Sequence, residues 1–162
     1  MTPAGPGVQG GKRGHNWGMG TAELYDTDFA EWTRHNADLL RSGRASEADL
    51  EHIAEEIEDM GKREQRSLHN RLVRLIEHLL KWQYQPERRG SNWTRTIVVQ
   101  RIGIQRLLST NPSFRPTLPD VVADAYADAV RVVSAVAQQA RTDFPASCPF
   151  TLEQLLNERY LP

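Results

Sequence analysis

An all-α fold follows from three features of this 162-residue chain. Apolar residues recur every three or four positions through most of its length, and capping residues punctuate those runs. Nowhere does a stretch of several residues alternate polar and apolar between turn signals, so no strand is expected. The periodic region, 21–162, reads as a single helical domain. Its expected architecture is a bundle of four main helices around one long central helix, with a short C-terminal helix added.

The first helix is expected from about Asp26 to Arg41, where Tyr25, Phe29, Trp32, Asn36 and Leu40 share a mostly apolar face. Gly43 can take the left-handed conformation that ends it, and Ser46 with Asp49 can cap the next helix. So short a connection predicts antiparallel neighbours. The second helix dominates the chain, from Glu47 to about Tyr84, with nothing to stop it before Pro86. Leu50, Ile53, Ile57, Met60, Leu68, Leu72, Leu75, Ile76, Leu79 and Leu80 form its stripe. Gly61 and Glu64 interrupt that stripe, and an interior glycine costs a helix about 1 kcal/mol against alanine. Three outcomes are open at Gly61: a bend, a closely approaching helix, or a clean break into two helices.

Gln85 to Gly90 reads as a loop, and Ser91 or Asn92 as the cap of a third helix from about Trp93 to Thr110. Trp93, Ile97, Ile104 and Leu108 line its inner face, with Gln100 among them and expected to bond across the core. The run Asn111-Pro112-Ser113-Phe114-Arg115-Pro116 breaks the chain, and Thr117 with Asp120 caps a fourth helix to about Thr142. Its stripe is Leu118, Val122, Ala125, Ala129, Val132, Val136 and Ala140. After a proline-bounded connector from Phe144 to Pro149, Thr151 and Gln154 form a capping box for a last helix ending near Asn157.

Seven of the 11 glycines lie in residues 1–20, which therefore read as a disordered tail without the apolar run of a secretory leader. No stretch is apolar enough to cross a membrane, so no membrane partner is expected. Cys148 is the only cysteine, which excludes an internal disulfide and a Cys-rich zinc site and suits a reducing cytoplasm. No cofactor is implied by any motif.

Several segments, in order, resemble the uncharacterised bacterial family catalogued as domain of unknown function 29. They are Leu24-Tyr25-Asp26 with Asp28-Phe29 and Trp32, then Ala54-Glu55-Glu56-Ile57-Glu58-Asp59-Met60-Gly61, then His78 through Pro86. Ser91-Asn92-Trp93, Pro112-Ser113-Phe114, Phe144-Pro145, Cys148-Pro149 and Leu161-Pro162 complete the set. The resemblance spans about Leu24 to Pro162. It implies a helical fold, and carries no activity, cofactor or catalytic residue with it.

Two clusters bear chemistry. On the long helix, His52 with Glu56, and Glu55 with Asp59, are spaced to share a face and could ligate a metal. Against that, carboxylate-metal bundles use Glu-x-x-His pairs repeated on facing helices, and this chain has none. Surface ion pairs such as Glu58–Lys62 and Asp59–Arg63 are the simpler use of the acidic run. His78, Trp82 and Gln83, with Tyr84 beside them, end the long helix and Trp93 opens the next. Such aromatics wedge helices together, or could line a cleft with His78 as acid or base, although no partner carboxylate is evident.

Charge is divided unevenly. Residues 21–60 hold 12 acidic and 3 basic side chains, a net −9; residues 61–106 hold 11 basic and 3 acidic, a net +8. Arg63, Arg66, Arg71, Arg74, Lys81, Arg88, Arg89, Arg95 and Arg101, with Trp82, Tyr84 and Trp93 near, could grip a phosphate backbone. Yet they fall on several sides of two helices, and the acidic block can neutralise them within the chain or in a dimer. Three functional expectations result. The first is a non-catalytic interaction or adaptor protein that pairs with itself or with another protein. The alternatives are a nucleic-acid-binding module using the basic residues, and a metal-dependent enzyme using His52, Glu55, Glu56 and Asp59.

Overall fold

The computed structural model describes residues 21–137 and 140–162, so the expected disordered tail lies outside the described residues. Among the described residues there are six α-helices and no strand. They are α1 (Thr21–Thr27), α2 (Phe29–Arg41), α3 (Leu50–Tyr84), α4 (Ser91–Thr110), α5 (Leu118–Ala137) and α6 (Leu152–Leu156). The all-α architecture with one dominant helix is as the periodicity indicates. The described residues form two compact units, divided between Ile57 and Glu58.

The first unit is held by a few polar bonds rather than by a large core. The expected first helix is split, because Asp28 leaves helical geometry and its side chain accepts from the Glu31 amide at 3.0 Å, capping α2. Gly43 takes φ 76° and ends α2, as its position suggests. The next helix starts later than expected. Residues Ala45–Glu47 form a 3-10 turn, and Asp49 rather than Ser46 stands before α3, its carboxylate accepting from the His52 amide at 3.4 Å. Trp32, Asn36 and Leu39 are the buried residues of α2. Two of them bond to the residue that precedes α3: Trp32 Nε1 donates to Asp49 Oδ2 at 3.1 Å, and Asn36 Oδ1 accepts from the Asp49 amide at 2.8 Å.

The second unit is built on the apolar stripe of α3. Leu68, Leu72, Leu75, Ile76, Leu79 and Leu80 are buried together with Ile97, Ile104 and Leu108 of α4 and Leu118, Val122, Ala125, Ala129 and Val133 of α5. Each fully buried leucine or isoleucine contributes about 1.5–3 kcal/mol. The helix runs unbroken through Gly61, and among the described residues nothing lies within 4 Å of where a Cβ there would stand. Neither the clean break nor the closely approaching helix is present.

Three smaller expectations are corrected. α4 begins two residues early, at Ser91, with Gly90 in the capping position and no side-chain cap. The Thr117 hydroxyl donates to the Phe114 carbonyl at 3.2 Å and, among the described residues, accepts from no first-turn amide of α5. Val132 and Val136 are 38% and 64% exposed, because the buried face centres on Val122, Ala129 and Val133. That puts Val132 at its edge, and Val136 beyond Val133, the last buried residue described in the helix.

The capping box at Thr151 and Gln154 forms, with both of its bonds made. The other end of α6 is held by α4. Arg101, completely buried, donates Nε to the Leu155 carbonyl at 2.9 Å, Nη2 to Gln154 at 3.0 Å and Nη1 to Tyr160 at 2.7 Å. One turn further along α4, Gln105 donates to the Leu156 carbonyl at 3.0 Å. A cation against the last-turn carbonyls meets the negative end of the helix dipole and satisfies acceptors that would otherwise be orphaned. Replacing Arg101 by Met keeps the apolar stem but leaves those carbonyls unpaired. Denaturant unfolding of Arg101→Met should show a loss of about 3 kcal/mol, with faster amide exchange over residues 150–162.

Candidate functional site

The long stretch of α3 within the second unit places Arg63, Arg66, Arg71 and Arg74 three to five residues apart, with Ser67 and Asn70 between them. At 3.6 residues per turn these six side chains share one face. They line an open groove of about 480 Å³, to which α4 contributes Gln100. All the charged residues lining it are arginines. Among the described residues no carboxylate forms an ion pair with Arg66, Arg71 or Arg74. Burial of the opposite stripe, Leu68, Leu72, Leu75 and Ile76, is what turns these arginines outward.

The other basic residues go elsewhere. Arg101 is not a surface residue at all: its guanidinium lies inside the fold on three carbonyls, and burial pulls its pKa below the ordinary value. It is therefore removed from the expected nucleic-acid contacts. Lys81 pairs with Glu77, both side chains being largely buried at 13% and 9% exposure. Arg89 stands over the Trp82 ring, 5.3 Å from its centroid, and donates to the Trp82 carbonyl at 2.8 Å. Arg88 and Arg95 are exposed and do not line the groove. Gln100 does not bond across the core as expected but faces the groove, accepting from Arg71 Nη1 at 3.3 Å.

The end of α3 behaves as a wedge. Tyr84 packs edge-on against Phe144 at 5.1 Å, Trp82 and Trp93 are half-buried, and Gln83 is exposed. His78 is buried and donates Nδ1–H to the Arg74 carbonyl at 2.8 Å; desolvation pulls its pKa below the usual imidazole value. None of these side chains lines the arginine groove.

The acidic cluster is dispersed by its own partners. His52 turns Nδ1 to Asp49 Oδ2 at 2.7 Å and stacks on Tyr25 at 4.2 Å. Glu56 accepts from the Tyr25 hydroxyl at 2.8 Å, Asp59 pairs with Lys62 at 3.0 Å, and Glu55 is exposed. Among the described residues no group of three His, Cys, Asp or Glu side chains is placed to hold a metal. The residues missed in the sequence are Asp49, read only as part of a cap, and Ser67, Asn70 and Gln100. A helical projection of 63–74 would have found Ser67 and Asn70; Gln100 required knowing how α3 and α4 pack.

Fold and groove together define an all-α protein carrying an arginine-lined surface groove. The family model described as domain of unknown function DUF29 matches residues 24–161, and the chain belongs to that family. No curated protein and no solved structure matches it.

The hydrogen bond that the His52 ring donates to Asp49 is the main influence raising the His52 pKa above its usual value, ahead of the opposing desolvation. Burial acts to raise the pKa of Asp49, but the bonds from Trp32 and His52 outweigh it and hold the carboxyl below its ordinary value. A raised imidazole value means that the pair, while Asp49 is ionised, stabilises fully below about pH 6.5 and that this contribution fades as pH rises through the higher folded value. The NMR titration midpoint of His52 should lie above about 6.5 and fall in Asp49→Asn. A midpoint at or below that value in the parent protein would contradict the pairing.

Proposed function

We propose that the second unit is a nucleic-acid-binding module that grips the phosphate backbone without reading its sequence. The arginine groove carries this reading. Arg63, Arg66, Arg71 and Arg74 concentrate positive charge on one face of one helix, the arrangement that releases condensed counterions from a nucleic acid. Ser67, Asn70 and Gln100 add neutral side-chain donors of the kind that accompany arginine at phosphate and sugar.

The aromatic residues argue for backbone contact over base stacking. Single-strand binders lay bases on exposed rings. Here Tyr84 is packed on Phe144, Trp82 lies under Arg89, and Trp82, Tyr84 and Trp93 are not among the groove's lining residues. The nucleic-acid reading takes precedence over an adaptor role because it rests on a located set of side chains. The adaptor role rests on the want of a catalytic constellation.

Neutralising about four phosphates gives a slope of log affinity against log salt near −3.6, so affinity for a short labelled duplex should fall about a hundredfold between about 50 and 200 mM salt. Reversing charge at Arg66→Glu and Arg74→Glu together should abolish binding with the helical signal intact. Failure of the parent protein to bind DNA or RNA at about 50 mM salt would overturn the reading.

A further inference from the structure

One arginine of the groove differs from the rest. The Arg71 side chain is half-buried and crosses from α3 to α4, where its guanidinium donates to Gln100 and lies against the α4 backbone at Gly103. A Cβ added at Gly103 would stand 2.6 Å from Arg71 Cζ and 2.9 Å from its Nε, closer than real side-chain carbons come. Gly103 lies mid-helix, where glycine is a poor residue for the helix itself. What glycine does supply at 103 is the space in which the Arg71 guanidinium rests.

Holding a guanidinium in place before a ligand arrives removes the ordering entropy that a free arginine must lose on binding. Gln100 uses one of the five guanidinium donors, so Arg71 keeps enough for the two-pronged bond that arginine makes to phosphate. Arg74 follows at i+3, and Ser67 precedes at i−4, on the same face.

From this geometry we infer that the groove contains a built seat for one phosphate group, with Arg71 as its fixed donor and Gly103 as the residue that keeps Arg71 in place. The inference rests on the phosphate-gripping role proposed for the groove and adds the position at which one phosphate is held specifically. Arg66 and Arg74 supply charge around it, and Arg71 supplies direction.

The test uses the full chain as parent, Gly103→Ala and Arg71→Lys. A fluorescein-labelled duplex is titrated over a salt series, and its release is compared between inorganic phosphate and chloride at matched ionic strength. Gly103→Ala leaves every charge in place and puts a better helix former in α4, so its melting temperature should equal or exceed the parent's. Its duplex affinity should nevertheless fall about tenfold, and its salt slope should shrink by about one phosphate. Arg71→Lys keeps the charge and loses the fork, and should weaken binding similarly. Should Gly103→Ala lose helical signal, Arg71→Lys alone decides.

Parent-like affinity and slope in the folded variants would overturn the seat while leaving the groove reading intact. A parent that binds no duplex would remove both. Release by inorganic phosphate beyond its ionic strength, in the parent and not in Gly103→Ala, shows that the seat also takes the free ion. Release equal to that by chloride, with the variants still weakened, shows that it takes the backbone phosphate alone.

Discussion

Burial of the stripe from Leu68 to Leu80 on α3 governs the second unit. Six apolar side chains on one face of one helix must leave water together, and α4 and α5 supply large apolar faces that cover them. Once that face is committed, the arginines at 63, 66, 71 and 74 have no choice of side. The core does not bind anything itself. It fixes the direction in which α3 presents its charge, and the groove is the consequence.

The same constraint separates arginines that look equivalent in composition. Arg101 lies on the inward face of α4 between Ile97 and Ile104, and a buried guanidinium persists only when its donors are met. Three carbonyls from the C-terminal segment meet them, so this positive charge organises the fold and is lost to the surface. Lys81 is absorbed by Glu77, and Arg89 by Trp82. A net +8 over residues 61–106 therefore overstates the charge offered to a partner. Of what remains, Arg66, Arg71 and Arg74 stand together in the groove.

Much of this architecture is legible in the sequence, because helices announce themselves locally. The α3 stripe, the left-handed Gly43 and the Thr151–Gln154 capping box each depend on residues within a few positions of one another. Boundaries are less legible where one polar side chain has two possible uses. Asp28 fits a helical run and acts as a cap; Ser46 has the spacing of a cap, and Asp49 accepts the first-turn amide instead. The site was less legible. Four arginines on one face could be read from spacing, but the contribution of Gln100 and the contact between Arg71 and Gly103 exist only once α3 and α4 are packed. His52 and Glu56 share a helical face, as their spacing indicates, yet Asp49 and Tyr25 claim them separately.

The central claim is that the core sorts the arginines into those that hold the fold and those that face an anion. It is tested most directly by following arginine side-chain Nε–H resonances while a short DNA duplex is added at about 50 mM salt. The account predicts that the resonances of Arg66, Arg71 and Arg74 move with the titration while that of Arg101 stays fixed. Shifts confined to Arg88, Arg89 and Arg95, with the groove arginines unmoved, would contradict it.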